Sequence, residues 1–242
     1  MVHYRLPVHE PGALLASGRD ADIFEYGPGL VLRRSRRGRS MAGEARTMEY
    51  LRGHGYPVPA VEEVSDDGTD LVMERIDGSS MVDFMSTRPW AIRRQGAVLA
   101  TLHRRLHAIA PPDFLPLSPA GLGDCFLHMD LHPLNVMIGA KGPVVIDWPN
   151  AARGDPLVDV GLAWVLMAAG EVSTNRVLGT VLGWGRALLI KGFLATIEQD
   201  FDLEALRHKL RAVVEFKVRD PNMSPTEQRA MWRVVEQLEA RT

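Results

Sequence analysis

Between Leu127 and Ile138 the chain places a cluster of polar residues inside an otherwise apolar stretch. The run reads Leu127-His128-Met129-Asp130-Leu131-His132-Pro133-Leu134-Asn135-Val136-Met137-Ile138. Buried polar groups are costly unless they are bonded or used, so this pattern constrains the fold more than any other part of the sequence. A second carboxylate follows at the end of a short apolar segment, Val144-Val145-Ile146-Asp147-Trp148. Asp130, Asn135 and Asp147, in that order, have the chemistry of phosphoryl transfer. Asn135 and Asp147 supply oxygen ligands for magnesium, and Asp130 supplies a carboxylate that orients an attacking hydroxyl.

The chain on either side divides by pattern. Ala13 to Ala16, Ala21 to Tyr26, Leu30 to Leu32, Val58 to Val64 and Leu71 to Met73 read as strands, with turns at Gly27-Pro28-Gly29 and Asp66-Asp67-Gly68. One helix interrupts them from about Ser40 to Arg52, its apolar face carrying Met41, Ala45, Met48, Leu51 and Arg52. Gly53, Gly55, Pro57 and Pro59 stop it. Asp77-Gly78-Ser79 reads as a linker. A helix follows from about Trp90 to Ile109, marked by Leu99, Leu102, Leu106 and Ile109 and ended by Pro111 and Pro112. Leu157 to Ala169 reads as a buried helix, and the remainder to Arg241 as helices. The expectation is an α+β chain: a strand-rich lobe over residues 1–76 and a helical lobe over 77–242 that carries the polar insert.

With these residues in place, the sequence resembles the aminoglycoside phosphotransferase and choline kinase group, a branch of the protein-kinase-like fold. The family pattern runs His-Gly-Asp-Leu-His-Pro-x-Asn, then Ile-Asp-Trp, then Gly-Asp-Pro-x-x-Asp. Here it is His128, Asp130, Leu131, His132, Pro133 and Asn135, then Ile146-Asp147-Trp148, then Gly154-Asp155-Pro156 and Asp159. Met129 stands where the family usually has glycine. The resemblance extends from about Leu14 to Trp164. It implies a bilobal fold, with a small antiparallel sheet and one helix in the first lobe. It also implies ATP and magnesium as cofactors, Asp130 as catalytic base, and Asn135 and Asp147 as metal ligands. His128 would brace the catalytic loop, and Asp155 and Asp159 would hold it through backbone hydrogen bonds.

The first lobe agrees with that pattern. Ser17-Gly18 between two strands could cover ATP phosphates, because glycine lets backbone amides approach closely. Arg33, at the end of Leu30-Val31-Leu32, stands where kinases carry lysine; it keeps a permanent charge and a bidentate fork for phosphate. Glu44 on the next helix is its expected ion-pair partner. Val31 and Arg33 share one face of the strand, so Arg34 is expected to face solvent. Leu71 to Ile76 resembles a hinge, with Met73, Glu74 and Ile76 along the adenine edge.

Other readings of the same residues are less economical. His128 and His132 flanking Asp130 could ligate a transition metal, but Asp147-Trp148 would then go unexplained. His103 and His107, one helical turn apart, read as ordinary surface or core histidines, and Cys125 as a small buried hydrophobe. Arg33 to Arg39 reads as a solvated turn, and Trp90, Trp164, Trp184 and Trp232 as helix-packing residues. A protein kinase would carry a long segment after its metal-binding Asp. Only Trp148 to Gly154 separates Asp147 from Asp155-Pro156, so a small-molecule hydroxyl acceptor is favoured over a peptide. A nucleotide-binding pseudokinase without turnover is the remaining alternative, supported by Arg33 alone.

Bulk properties exclude several classes. A net charge of -2 argues against a general nucleic-acid binder and gives no reason to expect a membrane partner. One cysteine allows no internal disulfide, so a reducing cytoplasm is expected. Met1 to Glu10 holds no apolar run of the kind that a signal peptide needs. From Gly170 onward the chain contains Glu171, Glu198, Asp200, Asp202 and Glu204, and also Arg176, Arg186, Lys191 and Arg207. No acidic excess there points to a polycationic acceptor. An antibiotic, a sugar, an amino alcohol and a biosynthetic intermediate all stay open.

Overall fold

The apolar alternation in the first third builds a five-stranded antiparallel sheet in the order β1-β2-β3-β5-β4. Its strands are β1 (Leu14–Ser17), β2 (Ala21–Glu25), β3 (Leu30–Ser35), β4 (Val61–Val64) and β5 (Asp70–Glu74), with helix α1 (Ala42–Gly53) between β3 and β4. The structure is a computed structural model and describes residues 10–170, 176–221 and 223–240, with side chains for all of these but 176–182. Met1 to His9 and the charges of Glu171 and Arg176 lie outside the described residues. On β3 the side chains divide by parity. Leu30 and Leu32 pack with Phe24, Tyr26 and Val72 on one face. Val31 and Arg33 take the other. Burying Leu32 and Val72 contributes roughly 1.5–3 kcal/mol each. Helix α1 buries Glu44, Ala45, Thr47, Met48 and Leu51. Arg52, expected on that apolar face, is exposed and lies 3.5 Å from Glu74 instead. A guanidinium is too costly to bury there without a partner.

Two compact units emerge, and they do not divide the chain at one point. The first is Met1–Gly78 together with Met137–Pro149; the second is Ser79–Val136 with Asn150–Thr242. The hairpin of β8 (Val136–Gly139) and β9 (Gly142–Val145) therefore carries Asp147 into the first unit, although its sequence lies within the expected second lobe. The amide of Val145 donates to the Pro57 carbonyl at 2.8 Å, and Trp148, almost fully buried, meets Tyr56 edge-on at 5.7 Å.

The expected linker is more ordered than its Gly-Ser composition suggests. Strand β6 (Gly78–Ser80) leads directly into helix α2 (Met81–Thr87), whose start is capped by the Ser80 hydroxyl accepting from the Asp83 amide. The long helix α3 (Ile92–His107) begins two residues later than its periodicity predicts, because Pro89 opens a 3-10 turn over Pro89–Ala91.

The second unit is a helical body of α3, α4 (Pro156–Ala169), α5 (Arg176–Ile197), α6 (Leu203–Lys217) and α7 (Pro225–Glu239). Two short strands, β7 (Cys125–Leu127) and β10 (Ala152–Gly154), pair antiparallel in it. Helices α3 and α5 approach at backbone distance. A Cβ on Gly192 would lie 1.9 Å from the Arg93 carbonyl oxygen, and one on Gly96 2.1 Å from that of Leu189. A mid-helix glycine costs about 1 kcal/mol of helix propensity, and here the close packing of two helices offsets it. Helix α4 is buried along most of its length, as its apolar composition predicts. Among the described residues, no helix is long and apolar enough to cross a membrane. The tryptophans split: Trp164 is buried in α4, whereas Trp90 and Trp184 are 79% and 74% exposed and do not serve the packing role expected of them.

Candidate active site

In the first unit, three charged side chains from distant parts of the sequence converge. Arg33 on β3 bonds Glu44 of α1 through Nη1, and its Nη2 donates to Oδ1 of Asp147 at 2.7 Å. Oε1 of Glu44 also accepts from the backbone amide of Trp148 at 3.1 Å. The carboxylate of Glu44 thereby ties helix α1 to the segment that presents Asp147. The Asp147 side chain is 36% exposed, against 12% for Arg33 and 3% for Glu44. Burial alone opposes the charge on Arg33, but Glu44 and Asp147 outweigh it and hold the guanidinium protonated. Burial pushes the Glu44 carboxyl up, repulsion from Asp147 adds to this, and Arg33 pulls the other way without cancelling it.

Arg34, one position on, behaves as strand alternation requires. It forms a bidentate pair with Asp70 at 2.8 and 2.6 Å on an exposed face and lies over the Phe24 ring. Arg33 and Arg34 thus belong to strand β3 rather than to the solvated turn expected from Arg33 to Arg39, because pairing with β2 and β5 extends the strand to Ser35. In the turn after β1, the Gly18 amide donates to the Ala21 carbonyl at 2.9 Å and the Ser17 hydroxyl to Asp22 at 2.6 Å, while Arg36 donates to the Gly18 carbonyl. At the end of β5, Met73 and Ile76 are half-buried. The Glu74 amide is committed to the Ala60 carbonyl at 2.8 Å, so that donor is used inside the sheet.

The second unit presents the loop from His128 to Asn135. Asp159 on α4 is fully buried beneath the loop. Its Oδ1 accepts from the Met129 amide at 2.7 Å and its Oδ2 from the His128 amide at 3.2 Å. The same Oδ2 lies 3.1 Å from Nε2 of His107 and 3.3 Å from Nδ1 of His103. Burial would raise this carboxyl, but His103 and His107 outweigh it and hold it well below the usual carboxylate range. His107 goes the other way: burial pushes it below 6.5 against the pull of Asp159. His103, His107 and Asp159 are the grouping of side chains, among the described residues, near enough to share a metal ion. With both carboxylate oxygens already accepting hydrogen bonds, buried histidines held by a structural aspartate account for it. His128 and His132 do not join that grouping.

Met129 takes φ +64, a left-handed conformation that disfavours L side chains and explains why the resembling family usually has glycine there. Asp147 is the other described non-glycine residue of this kind, at φ +68. Such strain persists where surrounding bonds over-determine it; for Met129 the bond to Asp159 does so.

Asp130 follows Met129. Its Oδ1 accepts from Nζ of Lys217 at 3.0 Å, and its Oδ2 lies 3.8 Å from Nε2 of His132. Burial would raise this carboxyl, but His132 and Lys217 outweigh it and keep it well below the usual range. The amide nitrogen of Asn135 donates to the Asp130 carbonyl at 3.0 Å. That bond fixes the amide with its oxygen as the end left to ligate a hard cation. Asp155 has a different place from the one expected. It caps α4, accepting from the Leu157 amide at 2.9 Å, and pairs with Lys209 at 2.9 Å. The aspartate before a helix-opening Pro156 is a natural N-cap, and Asp159 supplies the loop bonds. Cys125 is partly buried, and burial pushes its thiol up, away from reactive thiolate chemistry. Lys217 escaped the sequence reading. Its signal was register: it continues the buried face Leu206, Leu210, Val213 and Val214 of α6, where periodicity calls for an apolar residue.

A model of the phosphotransferase enzyme family matches residues 12–122 and 112–190, well over half of the chain. The chain belongs to that family. This phosphotransferase-family chain superposes on aminoglycoside phosphotransferase APH(4)-Ia with a TM-score of 0.62 at 16% identity, covering 93% of this chain and 92% of that one. A choline/ethanolamine kinase family protein from Mesorhizobium loti gives 0.55 at 17% identity, covering 96% and 87%. At such identities the likeness establishes the fold: protein-kinase-like and α+β, as expected. A thiamine kinase of Escherichia coli (strain SMS-3-5 / SECEC) is 39% identical over 62 residues, 26% of this chain and 20% of that protein. The chain therefore matches only a fifth of the length of that curated relative.

Proposed function

We propose that this family member is an ATP- and magnesium-dependent phosphotransferase of the cytoplasm that moves the γ-phosphoryl group to a hydroxyl of a small molecule. The observation that carries the proposal is the state of Asp130. It is an ionised carboxylate on a loop fixed by Asp159, with Asn135 anchored to its own carbonyl. In the reaction, Asp130 accepts a hydrogen bond from the acceptor hydroxyl and aims its oxygen. As the new P–O bond forms and the bond to the β-phosphate oxygen breaks, the hydroxyl proton passes to the Asp130 carboxylate. A carboxylate held this far below its usual range orients the nucleophile more than it stores the proton.

Asn135, through its amide oxygen, and Asp147, whose Oδ1 is on Arg33 and whose second oxygen is available, suit a magnesium ion by donor chemistry. Bound magnesium would neutralise charge on the phosphates. In the first unit, Arg33 braced by Glu44 is assigned to the nucleotide phosphates, the backbone around Ser17 and Gly18 to their cover, and Met73, Glu74 and Ile76 to the adenine edge, Glu74 not through its amide, which the Ala60 carbonyl holds. His128 braces the loop from a fully buried position. The acceptor belongs to the broad class of small hydroxyl compounds, in keeping with relatives named for thiamine, choline and aminoglycosides.

The test is a screen of hydroxyl acceptors for ADP release from MgATP, run with wild type and Asp130→Asn. Acceptor-dependent release by the wild type, lowered about 10²–10⁴-fold in the variant, is expected. A variant that keeps more than about a tenth of the wild-type rate would overturn the role given to Asp130.

A further inference from the structure

We propose that Lys217 is a positioning residue for the reaction, holding Asp130 in the single rotamer that presents Oδ2 to the acceptor; this rests on the reading of Asp130 as the catalytic carboxylate. Nζ of Lys217 lies 3.0 Å from Oδ1 of Asp130 and 3.4 Å from Oδ2 of Asp220, just beyond the end of α6. The lysine side chain is 11% exposed and that of Asp130 19%. Lysine is almost never this buried without a purpose, because its ammonium gives up strong hydration. Here the sequence places it on the apolar face of α6, in line with Leu206, Leu210, Val213 and Val214. An apolar residue there would pack equally well and would avoid the cost of burying a charge. What lysine adds is a directed bond to one oxygen of one carboxylate.

The geometry assigns the two oxygens of Asp130 to different partners. Oδ1 is taken by Lys217, and Oδ2 faces His132 at 3.8 Å, too far for a hydrogen bond. Oδ2 is thus the oxygen left to accept from a hydroxyl. The loop backbone is already fixed by Asp159 and Asn135, but a carboxylate still has its own side-chain torsions. Lys217 restrains that freedom from a separate helix, and Asp220 keeps the ammonium from swinging away. Holding a reacting group in its productive orientation is among the most effective ways for an enzyme to lower a barrier.

The test compares Lys217→Met, Lys217→Arg, Asp130→Asn and the double variant, by crystal structures and by ADP release from MgATP with water as the acceptor. In Lys217→Met, Asp130 is expected to occupy more than one rotamer, kcat to fall about tenfold to hundredfold, the loss expected for a charged hydrogen bond, and KM for MgATP to stay unchanged. Arginine should recover part of kcat. The double variant should be no slower than Asp130→Asn alone, because Lys217 acts only through Asp130. A merely structural lysine would lower the melting temperature and leave kcat and the Asp130 rotamer as they are. A folded Lys217→Met with the wild-type Asp130 rotamer, or additive losses in the double variant, would overturn the proposal. Should methionine prevent folding, Lys217→Gln is read in the same way. If Asp130→Asn itself keeps the wild-type rate while the rotamer depends on Lys217, the role of Asp130 as base fails and the contact between the two residues stands.

Discussion

The backbone amide of Met129 donates to Oδ1 of Asp159 at 2.7 Å, joining the loop that carries Asp130 to a buried helix and holding a methionine in a left-handed conformation. Two costs meet at this residue. The left-handed backbone costs an L residue roughly 1–2 kcal/mol, whereas removing a buried methionine side chain costs about 2–5 kcal/mol. Met129 is 3% exposed. Met129→Gly should therefore lower stability despite relieving the backbone. Urea unfolding should show a net loss of about 1 kcal/mol or more; a stability equal to or above wild type would mean that the side chain contributes little packing.

The buried Asp159 cluster sets an acid limit on stability. His107 is pushed below 6.5 in the folded state, so between that lowered value and 6.5 the unfolded chain binds more protons. Its contribution to stability is present above 6.5 and is lost as pH falls from there. Asp159, held below its usual range, adds a second loss of the same sign at lower pH. Stability should fall on going from about pH 7.5 to pH 5.5, with a slope of up to about 1.4 kcal/mol per pH unit for each proton taken up. His107→Gln should flatten the first part of that slope. A urea midpoint independent of pH over this range would contradict the assignment.

Arg33 and Arg34 separate cleanly in their partners and should do so in function. Arg33→Ala is expected to lower kcat/KM for ATP about tenfold to hundredfold, the equivalent of a charged contact worth roughly 1.5–3 kcal/mol. Arg34→Ala removes an exposed pair with Asp70 and should cost less than about 1 kcal/mol of stability, with little effect on turnover. Arg33→Lys should recover part of the activity. Steady-state kinetics on the three variants decide the matter: equal losses at both arginines would mean that the inward face of β3 has been misassigned.

Asp147→Ala should abolish magnesium-dependent nucleotide binding, since it deletes the proposed metal carboxylate. It also frees Arg33 from one of its two partners, so metal-free nucleotide should bind no worse than before. Titration calorimetry with ATP, with and without magnesium, reads both; unchanged MgATP affinity would sink the metal role.

Much of this protein is local and therefore legible in a linear sequence. Alternating apolar residues specify the strands of the sheet, because strand side chains repeat every two positions. The parity of Val31, Leu32, Arg33 and Arg34 places Arg33 and Arg34 on opposite faces before any coordinate is known. The spacing from His128 to Asn135, followed by Asp147 and Asp159, is legible as a resemblance to a family pattern, because that pattern is a string of residue types at fixed intervals. What local pattern does not carry is partnership across distance. Nothing in the sequence says that the hairpin ending at Asp147 joins the first unit, that Asp155 caps a helix while Asp159 holds the loop, or that Lys217 reaches Asp130 from helix α6. Those outcomes depend on which surfaces bury each other. A lysine on an apolar helix face looks like an error in periodicity until tertiary packing brings a carboxylate within 3.0 Å of it.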